Sequence, residues 1–140
     1  MPVVHFHLID TPANRDGVGR LLEDACALYA EVLDAPVERI RALASFHQPG
    51  HFLAAGQLCS VNGQNAPFFE FIVLEGRSLE QRQRLLAGFT DLLVERLAVA
   101  RGAIRGCCRR VPPEDWAIGG VPASDKRKAE IEARARNASD

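Results

Sequence analysis

This 140-residue chain contains no apolar run approaching the ~20 residues that a membrane-spanning helix needs. It has no excess of either charge: 17 basic against 18 acidic side chains leave a formal net charge of −1. That balance gives no electrostatic case for nucleic acid or an acidic membrane surface as a partner. It has no C-x-x-C pair; its cysteines are Cys26, Cys59, Cys107 and Cys108, the last two adjacent. Adjacent residues on a strand point to opposite faces, so neither a zinc site nor a disulfide framework is expected, and buried reduced thiols are the default. The amino terminus lacks the basic n-region of a signal peptide and carries two histidines, so a cytoplasmic location is expected. What remains is ordinary for a globular chain: 47% hydrophobic and 25% charged residues, at a length that supports one compact domain with a real core.

The first segment, Met1-Pro2-Val3-Val4-His5-Phe6-His7-Leu8-Ile9-Asp10, is short, apolar and β-prone from Val3 to Ile9. An initiator Met before a small Pro is normally trimmed, which would leave Pro2 as a secondary amine at the terminus. An ordinary α-amino group titrates at roughly 7.7–8.0. A secondary amine is more basic, and burial in an apolar strand together with nearby cations would lower its proton affinity toward neutrality. A general base works best there. His5 and His7 fall on one face of this strand. No third ligand of fitting spacing follows them, so no metal is expected.

Thr11 to Asp16 reads as a turn, with Asn14 or Asp16 capping the helix that follows. In that helix Leu21, Leu22, Ala25, Leu28, Tyr29, Val32 and Leu33 recur at helical spacing. Asp34-Ala35-Pro36 ends it. Ile40 to Phe46, carrying Arg41, is a second strand; Gln48-Pro49-Gly50 turns into a short extended stretch from His51 to Gly56. Val61 to Ala66 is polar and turn-prone, a linker. The pattern then restarts. Pro67 to Glu75 is an apolar strand, Ser78 caps a helix with Gln81 behind it, and Leu85, Leu86, Phe89, Leu92, Leu93, Arg96 and Leu97 define the helical face. Ala103 to Arg109, carrying Arg105, is a strand, and Pro112-Pro113-Glu114 turns into Asp115 to Gly120. Ser124 to Asp140 is charged and alanine-rich, expected as a surface helix that frays.

The halves correspond at a nearly constant offset: Pro2 with Pro67 and Asp10 with Glu75 at 65, then Arg41 with Arg105, Phe52 with Trp116, Gly56 with Gly120 and Ser60 with Ser124 at 64. This is a tandem β-α-β repeat. Units of about residues 1–60 and 67–124 joined by a short linker make one domain, 1–140, of the α/β (α+β) class. Strands joined through a helix should be parallel with a right-handed crossover. The expected architecture is a four-stranded sheet with two helices on one face and further copies of the chain covering the other.

These residues resemble the tautomerase superfamily, typified by 4-oxalocrotonate tautomerase. The first half resembles it through Pro2, Leu33-Asp34-Ala35-Pro36 with Arg41 after it, and Gly50-His51-Phe52 with Gly56. The second half does so through Leu74-Glu75-Gly76-Arg77-Ser78 with Glu80-Gln81, and Trp116-Ala117-Ile118-Gly119-Gly120 with Ala123-Ser124. The resemblance implies the tautomerase, or MIF-like, fold, the amino-terminal proline as catalytic base, and arginines that bind substrate carboxylates. It implies a homotrimer for a chain of two fused units. In the family each proline works with the turn arginine and the aromatic residue of its partner unit. For Pro2 these would be Arg77 and Trp116. For Pro67, an internal amide that cannot be a base, Pro12 stands in the arginine's place and Phe52 is the aromatic residue. A second arginine, Arg41 or Arg105, would polarise a carbonyl as the enolate forms, with the neighbouring-chain copy of either as a candidate. Arg77 is suited to gripping a carboxylate through two parallel hydrogen bonds.

Long members of the family also include enzymes that dehalogenate cis-3-chloroacrylic acid and decarboxylate malonate semialdehyde. Both typically carry a second arginine just before the one matched by Arg77, where this chain has Leu74 and Glu75. Their helix histidine falls near Cys26, and the decarboxylase aspartate near Arg39. The expected activity is therefore the simpler isomerase reaction, keto–enol tautomerisation of enol or dienol forms of 2-oxo acids, with no cofactor. The other class of reading is a non-catalytic trimeric binding protein.

Overall fold

β1 (Val3–Ile9) alternates fully buried Val4, Phe6 and Leu8 with half-buried Val3, His5 and His7. This period-two pattern presents one face to a core and leaves the other open. The structure, a computed structural model, describes residues 2–126. Met1 and the charged tail beyond Lys126, with the helix expected there, lie outside the described residues.

α1 (Pro12–Leu33) begins earlier than the expected turn allows. Thr11, not Asn14 or Asp16, is the N-cap; its Oγ1 accepts the Asn14 N–H at 3.1 Å. Pro12 occupies the first turn, where its missing N–H would have no helical partner anyway. Asn14 is instead fully buried. Its Nδ2 donates to the Ile9 carbonyl at 2.8 Å, and it exchanges hydrogen bonds with Asn65 at 3.1 Å, tying the first helix to the linker between the halves. Asp34 closes α1 in the left-handed conformation, and a 3-10 turn at Val37–Arg39 leads into β2 (Arg41–His47). A small hairpin follows, β3 (Leu53–Ala54) with β4 (Gln57–Leu58), and then the short α2 (Cys59–Asn62), which takes the first part of the expected linker.

The second half repeats the plan. β5 (Phe68–Leu74) leads to α3 (Leu79–Leu97), whose Ser78 and Gln81 form the expected reciprocal capping box. β6 (Arg105–Val111) and the hairpin of β7 (Ala117–Ile118) and β8 (Val121–Pro122) complete it.

The sheet order is β2-β1-β5-β6. β1 and β2 run parallel, as do β5 and β6, while the two units meet through the antiparallel β1–β5 pair. The pairs Val3↔Ile72 and His7↔Phe68 fix that register. The start of β1 therefore shares one end of the sheet with the end of β5, and the start of β5 shares the other end with the end of β1.

α1 and α3 pack together on one face over Phe6, Phe69 and Phe71, with Tyr29 and Phe89 set edge-on among those rings. Fully burying a large apolar side chain stabilises by about 1.5–3 kcal/mol. Gly106 on the edge strand is part of this arrangement, since a Cβ there would lie 2.1 Å from the Phe69 ring. Cys59 is buried, but Cys107 is exposed, against expectation, because it points to the uncovered face of the edge strand β6. All four thiols are free. Among the described residues, no helix is long and apolar enough to cross a membrane.

Candidate active site

Pro2 is buried at the head of β1. Its carbonyl accepts the Arg41 N–H at 3.0 Å, which extends the parallel ladder by one residue and sets the start of β2 beside the start of β1. A cavity of about 420 Å³ opens here, next to Val3. Glu38, Arg39 and Arg41 line it from the first half, and Trp116 to Gly119 from the second. Trp116 arrives because β6 ends beside the end of β5, at Leu74↔Val111, and the antiparallel β1–β5 pair brings that end to Pro2. The Trp116 carbonyl accepts the Ala123 N–H at 2.7 Å and so closes the β7–β8 hairpin that carries the ring.

The cations around this cavity are held differently. Arg41 is exposed, and among the described residues no hydrogen bond or ion pair holds its guanidinium. Arg77 sits in the β5–α3 turn at the same end of the sheet, where its Nη1 donates to the Leu33 carbonyl at 2.9 Å. That carbonyl is one of the orphan acceptors at the end of α1, where a positive charge also suits the helix dipole. Arg77 does not line the cavity. Trp116 is half-buried, and its indole N–H has no acceptor among the described residues. Beneath the site, the Tyr29 hydroxyl donates to the Ile72 carbonyl and lies 3.4 Å from the Val3 carbonyl, bridging the two central strands. Burial pushes its phenol far above the usual range, so it stays protonated.

The opposite end of the sheet is built the same way. The Pro67 carbonyl accepts the Arg105 N–H at 3.2 Å, beside a cavity of about 580 Å³ whose lining includes Phe52, Gln64, Pro67 and Arg105. Arg105 is tied back by its own loop, its Nη1 donating to the Gly102 and Ile104 carbonyls at 2.8 and 3.0 Å. Within one chain, then, the expected substrate-binding set is divided. Arg41 and Trp116 lie at the Pro2 cavity; Phe52 and Arg105 lie at the other. Sequence reasoning missed Glu38 as a lining residue and took Arg39 only as a departure from a pattern. Their position immediately before Arg41 was the available signal.

Two β-α-β units, each headed by a proline beside a cavity and joined through one antiparallel strand pair, define a fused pseudo-dimer. Comparison with known proteins agrees. The family model described as "Tautomerase enzyme" matches residues 67–126, the second unit. The 2-hydroxymuconate tautomerase of Comamonas testosteroni is 37% identical over 59 residues, 42% of this chain and 94% of that protein. Probable tautomerase RSp0893 of Ralstonia nicotianae is 28% identical over 69 residues, 49% of this chain and 99% of that protein. Native fused 4-OT superposes with a TM-score of 0.80 at 21% identity, covering 88% of this chain and 97% of that one. Pt0534 inactivated by 2-oxo-3-pentynoate does so with a TM-score of 0.80 at 22%, covering 89% and 98%. The chain belongs to the tautomerase superfamily, as a member built from two fused units.

Proposed function

We propose that this chain is a keto–enol tautomerase whose general base is the secondary amine of Pro2, exposed when Met1 is removed. The amine takes the proton from the enol hydroxyl of a 2-oxo acid's enol or dienol form. It then returns that proton to carbon, so that C=C becomes C–H and the enol oxygen becomes a carbonyl. As negative charge gathers on that oxygen, Arg41 stabilises it. Arg77, outside the cavity lining, would turn from the Leu33 carbonyl to serve the substrate carboxylate, and Trp116 forms an apolar wall that keeps water from the amine. Guanidinium neighbours and the buried head of β1 favour the uncharged amine, the form a base requires.

The observation that carries this reading is the cavity beside Val3. It joins Arg41 of one unit to Trp116 of the other next to Val3, the residue that follows Pro2. The 2-hydroxymuconate tautomerases that this chain resembles are named for that reaction class. Leu74 and Glu75 still stand where the dehalogenases and decarboxylases carry their extra arginine. We further read the chain as a homotrimer. Among the described residues one sheet face carries no helix, Leu43 on it is 42% exposed, and Leu53 and Val61 near the first hairpin are 64% and 71% exposed. Solved fused 4-OT structures of this fold are trimers.

Ketonisation of phenylenolpyruvate tests the reaction. Pro2→Ala should lose about 10²–10⁴-fold in kcat/KM, the usual worth of a positioned general base. Pro67→Ala should stay within about twofold. Equal rates for wild type and Pro2→Ala would overturn the enzyme and leave a non-catalytic trimer. Intact-mass measurement establishes that Met1 is gone before the rates are compared.

A further inference from the structure

We propose that His5, His7 and Glu70 form a binding site for a divalent transition-metal ion of the zinc and cobalt class on the sheet face opposite α1 and α3, the face that the proposed trimer would enclose. One donor atom from each of the three residues lies within 4.8 Å of the others. His5 and His7 are two apart on β1, and Glu70 is the direct cross-strand partner of His5 on β5. All three point away from the helices and are half-buried. Two imidazoles and one carboxylate, with a fourth position open, are a donor set that zinc and its neighbours accept. Bonds of about 2.0–2.2 Å to a tetrahedral ion put donors about 3.3 Å apart, so the three side chains need only draw together slightly.

Each residue has one polar atom held by a neighbour, and the ion would take the other. His5 Nε2 bonds Ser45 Oγ at 2.7 Å, leaving Nδ1 for the ion. His7 Nδ1 bonds His47 Nε2 at 2.8 Å, leaving Nε2. Glu70 Oε2 accepts from Arg109 Nη2 at 2.8 Å, leaving Oε1. Metal on the remaining nitrogens would fix the bonded ones as donors, the outer arrangement that orients ligating histidines. The rings are also pinned: His5 and His7 lie 4.1 Å apart between centroids, and His7 stacks on Phe68 at 5.7 Å. The histidine spacing alone could not show this site, because its third member comes from the other unit.

The test uses tag-free, chelator-stripped protein. Co²⁺ is titrated by its visible absorption and Zn²⁺ by calorimetry, each at pH 7.5. Wild type should bind one ion per chain. His7→Ala and the isosteric Glu70→Gln should each weaken binding at least tenfold, and His47→Ala less than either. His51→Ala should bind like wild type. Cys107 stands opposite Glu70 on β6, so Cys107→Ser identifies binding through that thiol instead. Circular dichroism confirms that each variant is folded; should His7→Ala fail to fold, Glu70→Gln decides alone. Unchanged affinity in His7→Ala or Glu70→Gln, loss in Cys107→Ser only, or no saturable binding by wild type would overturn the site.

Discussion

The two ends of the sheet are the same structure with different chemistry. At each, a proline carbonyl accepts the N–H of an arginine that starts the neighbouring parallel strand, beside a cavity. At the Pro2 end that arginine has a guanidinium no described group holds; at the Pro67 end the equivalent Arg105 is anchored to two carbonyls of its own loop. Pro2 needs only loss of Met1 to become an amine, whereas Pro67 is locked in a peptide bond. The turn arginine Arg77 has Pro12 as its counterpart, and Pro12 serves α1 as a first-turn residue. The larger of these two cavities lies at the Pro67 end, so size alone points away from the proposed base.

The largest effect that can break this comparison, after loss of Pro2 itself, is at the paired arginines. Arg41→Ala should cost about 10²-fold in kcat/KM for phenylenolpyruvate, the usual worth of one donor to a developing oxyanion. Arg105→Ala should remain within about threefold. Comparable losses in both would mean that the two ends cooperate in one reaction and are not functionally distinct.

Much of this was legible in the sequence. The offset of 64 to 65 residues gave the repeat, and the Ser78–Gln81 pair gave the helix start. The helix between strands gave the parallel pairs. What the offset could not give is adjacency. It says which residues are equivalent; only the family resemblance set Trp116 with Pro2 and Phe52 with Pro67, and the antiparallel β1–β5 pairing is what sends Arg105 to the end away from Arg41. Cross-strand partners are hidden for the same reason, as with His5 and Glu70. The Thr11 cap was missed because Thr11 to Asp16 reads as a turn, whereas Pro12 sits in the first turn of α1, where a proline breaks nothing.

Trp116 sharpens the comparison at an intermediate level. As an apolar wall it should be replaceable by Phe, the residue its counterpart Phe52 already supplies at the other end. Trp116→Phe should keep kcat/KM within about threefold and leave stability unchanged or slightly raised, because it removes a buried N–H that has no described acceptor. Trp116→Ala should lose about tenfold, chiefly in KM. A large loss in Trp116→Phe would assign the N–H a role with substrate. Tyr29 tests the floor beneath the same end. Tyr29→Phe removes the hydroxyl bridging the Ile72 and Val3 carbonyls and should cost about 1–3 kcal/mol in urea unfolding. A change in unfolding free energy below about 0.5 kcal/mol would show that the two carbonyls are satisfied without it.

The smallest expected effect concerns His7, midway along β1 between the two ends. Its proton affinity is lowered in the fold, first by burial, then by His5 and His47, with Glu70 opposing. An unfolded chain titrates this ring near 6.5. Above that pH both states hold it neutral, and folding is indifferent to it. As pH falls below about 6.5, the unfolded state takes up the proton first, so stability declines until the lowered folded pKa is passed and then levels off. Urea midpoints of chelator-treated protein should therefore fall between pH 7.5 and 5, and His7→Asn should flatten that part of the profile. His5 and His47 face the same ring and shift it through their own charges, so His47→Ala should flatten the profile less than His7→Asn does. An identical slope in wild type and His7→Asn would place the acid sensitivity elsewhere on the sheet.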